Sequence, residues 1–177
     1  MKNEKFAYVL LLIFLFLTFF KTSVFAQSNY VLPYPSSMPG SLFYEIHLIY
    51  ENISKYWYFG DFGQFDYSLK MADKYLVEAK TLFEYKQYLL GYKALKKSDQ
   101  YFVNIIPSLA RAGKDGKNTL QKKTILNEAA QKHIEILDKM QIDNPDVFNW
   151  QPEKALPTAL DMGGTIRNSI NVRKNDL

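Results

Sequence analysis

Few residues in this chain are of types that do chemistry, so their spacing decides what can be read from them. His47 and His133 are the two histidines. They lie in different segments, with no His-x-x-x-His or Glu-x-x-His pattern to hold a metal on one helix face. His133 falls on an apolar face, where a packed histidine is the plainer reading. The pairs Asp61 with Asp66 and Glu128 with Glu135 are the acids that could act together. Glycoside cleavage needs two carboxylates about 5 to 9.5 Å apart across a cleft, and nothing in their surroundings builds one. No serine sits in Gly-x-Ser-x-Gly, and Gly113-Lys-Asp-Gly116 is too short for a phosphate loop. The chain has no cysteine, which excludes thiolate zinc sites, a cysteine nucleophile, a disulfide framework and a thioether-linked lipid. The expectation is a protein without catalytic residue, cofactor or metal, whose acids stay hydrated on polar helix faces.

Two clusters stand above this background as candidate interaction sites. One is the aromatic run Tyr50, Tyr56, Trp57, Tyr58, Phe59, Phe62, Phe65 and Tyr67. Such rings stack on sugars or sit at a membrane interface, or else pack a helix onto the core. The other is the basic stretch of Arg111, Lys114, Lys117, Lys122 and Lys123 against Asp115, suited to anionic headgroups or a cell-wall polymer, or simply solvated. Tyr56, Trp57, Tyr58, Arg111, Lys114 and Lys117 are the residues singled out.

These residues are delivered outside the cytoplasm if the N-terminus means what it resembles. Lys2 and Lys5 precede an uncharged run from Phe6 to Phe20, and Val24-Phe-Ala26 offers small or modest residues at −3 and −1. That is the order of a secretory leader, and cleavage would leave Gln27 first. A retained leader acting as a membrane anchor is the alternative, although the run is shorter than the roughly 20 residues of a spanning helix. The whole chain has 22 basic and 18 acidic residues. The leader holds Lys2, Lys5 and Lys21 against Glu4, so the remainder is close to neutral and unsuited to nucleic acid.

Residues 27–41 hold three prolines and form an extended lead-in ending at Ser41, a good N-cap. The rest, 42–177, reads as one helical domain. A first helix spans about Leu42 to Tyr58, with apolar residues on more than one stripe. In the second, Phe62, Phe65, Leu69, Ala72, Leu76, Ala79 and Phe83 follow a 3-4 rhythm, with Lys70, Asp73, Lys74 and Glu78 on other faces. Tyr88, Gly91, Leu95, Ser98, Phe102, Ile105 and Leu109 repeat that rhythm, so the two form an antiparallel hairpin whose small residues admit close approach. Pro107 should kink or end this third helix near Ile106. Residues 111–119 read as a loop, Leu120 to Met140 as a fourth helix, and Glu153 to Val172 as a last one weakened midway by Gly163-Gly164. No segment alternates long enough to be a strand. The fold class is all-α: a signal helix, then a small bundle of about five helices built on the hairpin.

The order Val31-Leu-Pro-Tyr-Pro35, Pro39-Gly-Ser-Leu-Phe-Tyr44, Met71-Ala-Asp-Lys-Tyr-Leu-Val-Glu-Ala79 and Tyr92-Lys-Ala-Leu95 resembles the exported bacterial proteins of domain of unknown function family 5667. The resemblance spans about Tyr30 to Ile105. It implies a leader, a Leu-Pro-x-Pro lead-in, a short helix and a hairpin, and it implies no activity. One unit also resembles a tetratricopeptide hairpin, without the second copy an array needs. The expected role is a non-enzymatic domain of the cell envelope that binds another protein through an exposed helical face, with membrane-surface contact as a further option. The alternatives are an envelope-polymer hydrolase or lyase and a membrane-tethered spacer.

Overall fold

A computed structural model describes residues 28–35, 38–154 and 156–175. The expected leader and the Gln27 terminus it would leave lie outside them. Residues 28–35 carry no regular structure, as their prolines require. Ser41 caps α1 (Leu42–Ser54), its Oγ accepting from the Phe43 N–H at 3.3 Å, and a 3₁₀ turn (Lys55–Trp57) follows.

The bundle is built on α2 (Gly60–Glu84) and α3 (Tyr88–Val103), an antiparallel hairpin turned by Tyr85 to Gln87. Both 3-4 seams are buried apart from their half-buried first members, Phe62 and Tyr88. A Cβ at Gly91 would stand 2.8 Å from the Phe83 ring, so only glycine lets the helices approach this closely. The Ser98 hydroxyl donates to the Ala72 carbonyl across the same seam at 2.8 Å. Helix α2 is buried on most of its circumference, including Tyr67, Met71 and Tyr75 off the seam, as befits the central helix of a bundle.

The third helix ends earlier than Pro107 suggested. It breaks at Asn104, and a separate α4 (Ile105–Lys114) begins there. Pro107 then sits in the first turn of α4, where its missing N–H costs nothing. The expected loop 111–119 is correspondingly helical up to Lys114. Buried Leu109 and Ala112 hold that last turn on the core.

Helix α5 (Leu120–Asp143) and helix α6 (Met162–Asn175) complete the bundle. Between them Val147–Trp150 (β1) pairs antiparallel with Thr158–Asp161 (β2), Val147 opposite Asp161. This small hairpin corrects the expected helix over 153–161. Its four-residue strands are too short for alternation to show, and they gain their place by packing Phe148, Trp150 and Leu160 onto the core. The last helix thus starts at Met162, and Gly163-Gly164 lie in its first turn rather than its middle. There a Cβ would strike the Asp146 and Asp161 carboxylates. Asp161 accepts from the Gly164 N–H at 2.7 Å, and the Asp146 carbonyl accepts from the Met162 and Gly163 N–H groups. Among the described residues no helix is long and apolar enough to cross a membrane.

Candidate functional site

Arg173 is fully buried near the end of α6 and binds α3 and α5 at once. Its Nη1 donates to Asp99 Oδ1 at 2.6 Å, its Nη2 to the Ser98 hydroxyl at 2.8 Å, and its Nε to His133 Nδ1 at 3.1 Å. Because Nδ1 accepts, the proton of the neutral imidazole is on Nε2, which donates to Asp73 Oδ1 at 2.8 Å. Asp73 in turn accepts from the Tyr30 hydroxyl at 2.6 Å, and Asp99 from Ser169 at 2.7 Å. Burial, reinforced by the Arg173 charge, pushes the His133 pKa below its ordinary value, against the pull of Asp73. Burial and Asp73 push the Tyr30 phenol up. Both ring nitrogens of His133 are engaged, and the ring packs against Phe102 with centroids 5.5 Å apart. This chain of groups joins the lead-in to α2, α3, α5 and α6. Its chemistry is that of a closed ion-pair and hydrogen-bond network.

A second polar layer lies between α1 and α2. Lys74 pairs with Glu51 Oε1, and the Tyr75 hydroxyl donates to Glu51 Oε2 at 3.0 Å. The Tyr44 hydroxyl donates to Glu78 Oε1 at 3.0 Å. Glu78 is buried, its Oε2 has no hydrogen-bond partner among the described residues, and desolvation raises its pKa against the pull of Tyr44, Lys74 and Lys97. Beside it, Tyr75 and Tyr101 stack with planes 5° apart, and Tyr67 meets Tyr101 edge-on. A cavity of about 490 Å³ lined by Glu51, Tyr75, Lys97 and Tyr101 opens between α1 and α3.

These layers correct the expectation that the acids stay at the surface. Asp73 and Glu78 are buried, and Glu51 and Asp99 are largely covered. Lys74, expected on an outer face, is covered by α1 as well. The signal for the first layer was present in the sequence. His133 and Arg173 each continue an apolar helical row, and a polar residue there must find a buried partner.

The outer side of α1 is its opposite in character. Tyr44 and Glu51 turn toward α2 and Leu48 lines the cavity, while Phe43, Ile46, Ile49, Tyr50, Ile53, Tyr56 and Trp57 are half or more exposed. Trp57 lies 6.2 Å from Tyr50, centroid to centroid, and Tyr56 stands beside it. Tyr58 turns inward instead, 5.4 Å from Tyr67. The aromatic run is thus divided between an open face and the tyrosine stack.

The basic candidates are partly neutralised. Arg111 Nε and Lys117 Nζ both reach Asp61 in the first turn of α2, at 3.0 and 3.1 Å. These two cations hold the Asp61 carboxyl below its ordinary pKa, Lys117 first. Lys122 pairs with Asp66 at 2.6 Å, and Lys114 is exposed. Of the carboxylates considered as pairs, Asp61 and Asp66 serve the cations above, Glu135 serves Lys132 at 2.7 Å, and Glu128 is exposed. Among the described residues no group of three or more histidines and acids is arranged to hold a metal.

The family model described as Domain of unknown function (DUF5667) matches residues 36–147, and the chain belongs to that family. The match begins just after the Leu-Pro-x-Pro lead-in and runs through α1 to the start of β1. No curated protein and no solved structure matches the chain.

Proposed function

We propose that this member of the family is an exported, non-enzymatic helical domain of the bacterial cell envelope that docks a protein partner on the outer face of α1. One observation carries the reading: α1 is turned with its polar side to its own domain and its apolar side to solvent. A helix normally buries its apolar stripe, and an exposed patch of this size marks an interaction surface. The N-terminal leader supports export. The hydrolase alternative needs two free carboxylates converging beside Trp57. The α1 acid facing the neighbouring cavity, Glu51, is already held by Lys74 and Tyr75.

A photoreactive residue at Ile46 or Ile53 tests the reading in the native host, with exposed Asn168 on α6 as the control position. The expected result is a discrete protein adduct from both α1 positions and none from Asn168. Adducts to lipid alone, or adducts of equal yield at Asn168, would overturn it.

A further inference from the structure

Resting on the docking role of α1 proposed above, we infer that the partner is a second copy of this chain, paired antiparallel through α1 about a two-fold axis at Tyr50. Phe43, Ile46, Tyr50 and Ile53 follow at intervals of 3, 4 and 3 residues along α1, the repeat of a knobs-into-holes seam, and Trp57 extends it from the 3₁₀ turn. Reversal about Tyr50 brings Phe43 level with Trp57 of the second copy, and Ile46 beside Ile53. Aromatic ends meet aromatic ends, and the middle of Ile46, Tyr50 and Ile53 meets itself. A patch that matches its own reverse is what an isologous interface requires.

The charges obey the same symmetry. Glu45 stands as far before Tyr50 as Lys55 stands after it. Glu45 and Ile49 lie at i and i+4 along one edge of the α1 face, and Tyr56 follows them in the 3₁₀ turn. The Lys55 ammonium lies 5.0 Å from the centroid of the Tyr56 ring, which carries its charge to that edge. Like edges meet in an antiparallel pair, so each Glu45 comes level with Lys55 of the other copy, twice per dimer. Parallel pairing would set Glu45 against Glu45.

The area is sufficient. Seven apolar side chains are half to two-thirds exposed; at about 150–250 Å² for a large aromatic they offer on the order of 800 Å², about one partner's share of a standard interface. The charged residues of α1 and its 3₁₀ turn are Glu45 and Glu51 against Lys55, without the cationic rim of a membrane-surface helix.

Sedimentation equilibrium of the protein purified after export, with the N-terminus that export leaves, tests the pairing. A dimer mass is expected at roughly micromolar concentration. Ile46→Asp should weaken self-association by about a hundredfold or more while the monomer keeps its helical circular dichroism, because Ile46 is exposed. Glu45→Lys and Lys55→Glu should each weaken it by about tenfold, and the double variant should return to within about threefold of the parent. A monomer up to about 0.1 mM, or a double variant no better than the singles, would overturn the pairing. A monomer that still gives an Ile53 adduct with a different protein would sink self-pairing alone and leave the docking role of α1 standing. Flotation with phosphatidylglycerol vesicles that is lost in Trp57→Ala would overturn both.

Discussion

At the scale of single residues the molecule is held by buried polar groups that satisfy one another. Arg173 is the hub, and Arg173→Met removes the partner of Asp99 and the donor to His133 while keeping much of the volume. Breaking one side of a buried ion pair costs about 3–5 kcal/mol, so the urea midpoint should fall by that equivalent. A loss under about 1 kcal/mol would mean that Asp99 finds water instead. His133 and Glu78 give stability opposite dependences on pH. The folded-state pKa of His133 is lowered, so the unfolded chain takes up the proton first and stability falls as pH drops below 6.5. That of Glu78 is raised, so its contribution is complete below 4.5 and is lost as pH rises above that value. Glu78→Gln should therefore remove the second dependence and leave the protein no less stable at neutral pH, as melts across the pH range would read. The positions of these groups were half visible in the sequence. His133 and Arg173 sit on apolar rows, whereas Asp73 and Glu78 lie off the 3-4 seam of α2 and are buried only because Tyr30 and α1 cover them.

At the scale of elements the hairpin was fully legible, because two 3-4 seams with glycine and serine at matched depths admit one arrangement. Gly91→Ala drives a Cβ into the Phe83 ring and should cost about 1–3 kcal/mol, whereas Leu76→Asp should cost several. Lys74→Ala separates the face expected from the sequence from the face observed. A solvated lysine would lose less than about 0.5 kcal/mol. The Glu51 pairing raises the expected loss to about 1–3 kcal/mol, and equality with Lys70→Ala in urea melts would return Lys74 to the surface. The strands β1 and β2 were not legible. Their pairing is non-local, and Pro157 before β2 was equally compatible with the first turn of a helix. The break at Asn104 was hidden for a similar reason, since the apolar rhythm of α3 runs on unbroken through Ile105 and Leu109 into α4.

At the scale of the whole molecule the distribution of polarity is inverted at one place. The bundle of α2 to α6 hides its apolar seams, while α1 presents its apolar seam outward and meets α2 through Tyr44 and Glu51. Periodicity alone could not reveal this, because a seam has the same spacing whichever way it faces. What betrays the orientation is the identity of the opposite side: Tyr44 and Glu51 find Glu78, Lys74 and Tyr75, partners that would be left buried and unpaired if α1 were rolled over. Hydroxyl-radical footprinting tests the orientation and its purpose together, by comparing Phe43 and Trp57 in dilute purified protein with the same residues in intact cells, with buried Tyr75 as reference. Phe43 and Trp57 should be modified readily in dilute solution and protected in cells, with Tyr75 protected in both. Protection of Phe43 and Trp57 already in the dilute protein would contradict the outward face of α1, and equal reactivity in both settings would contradict its role as a docking surface.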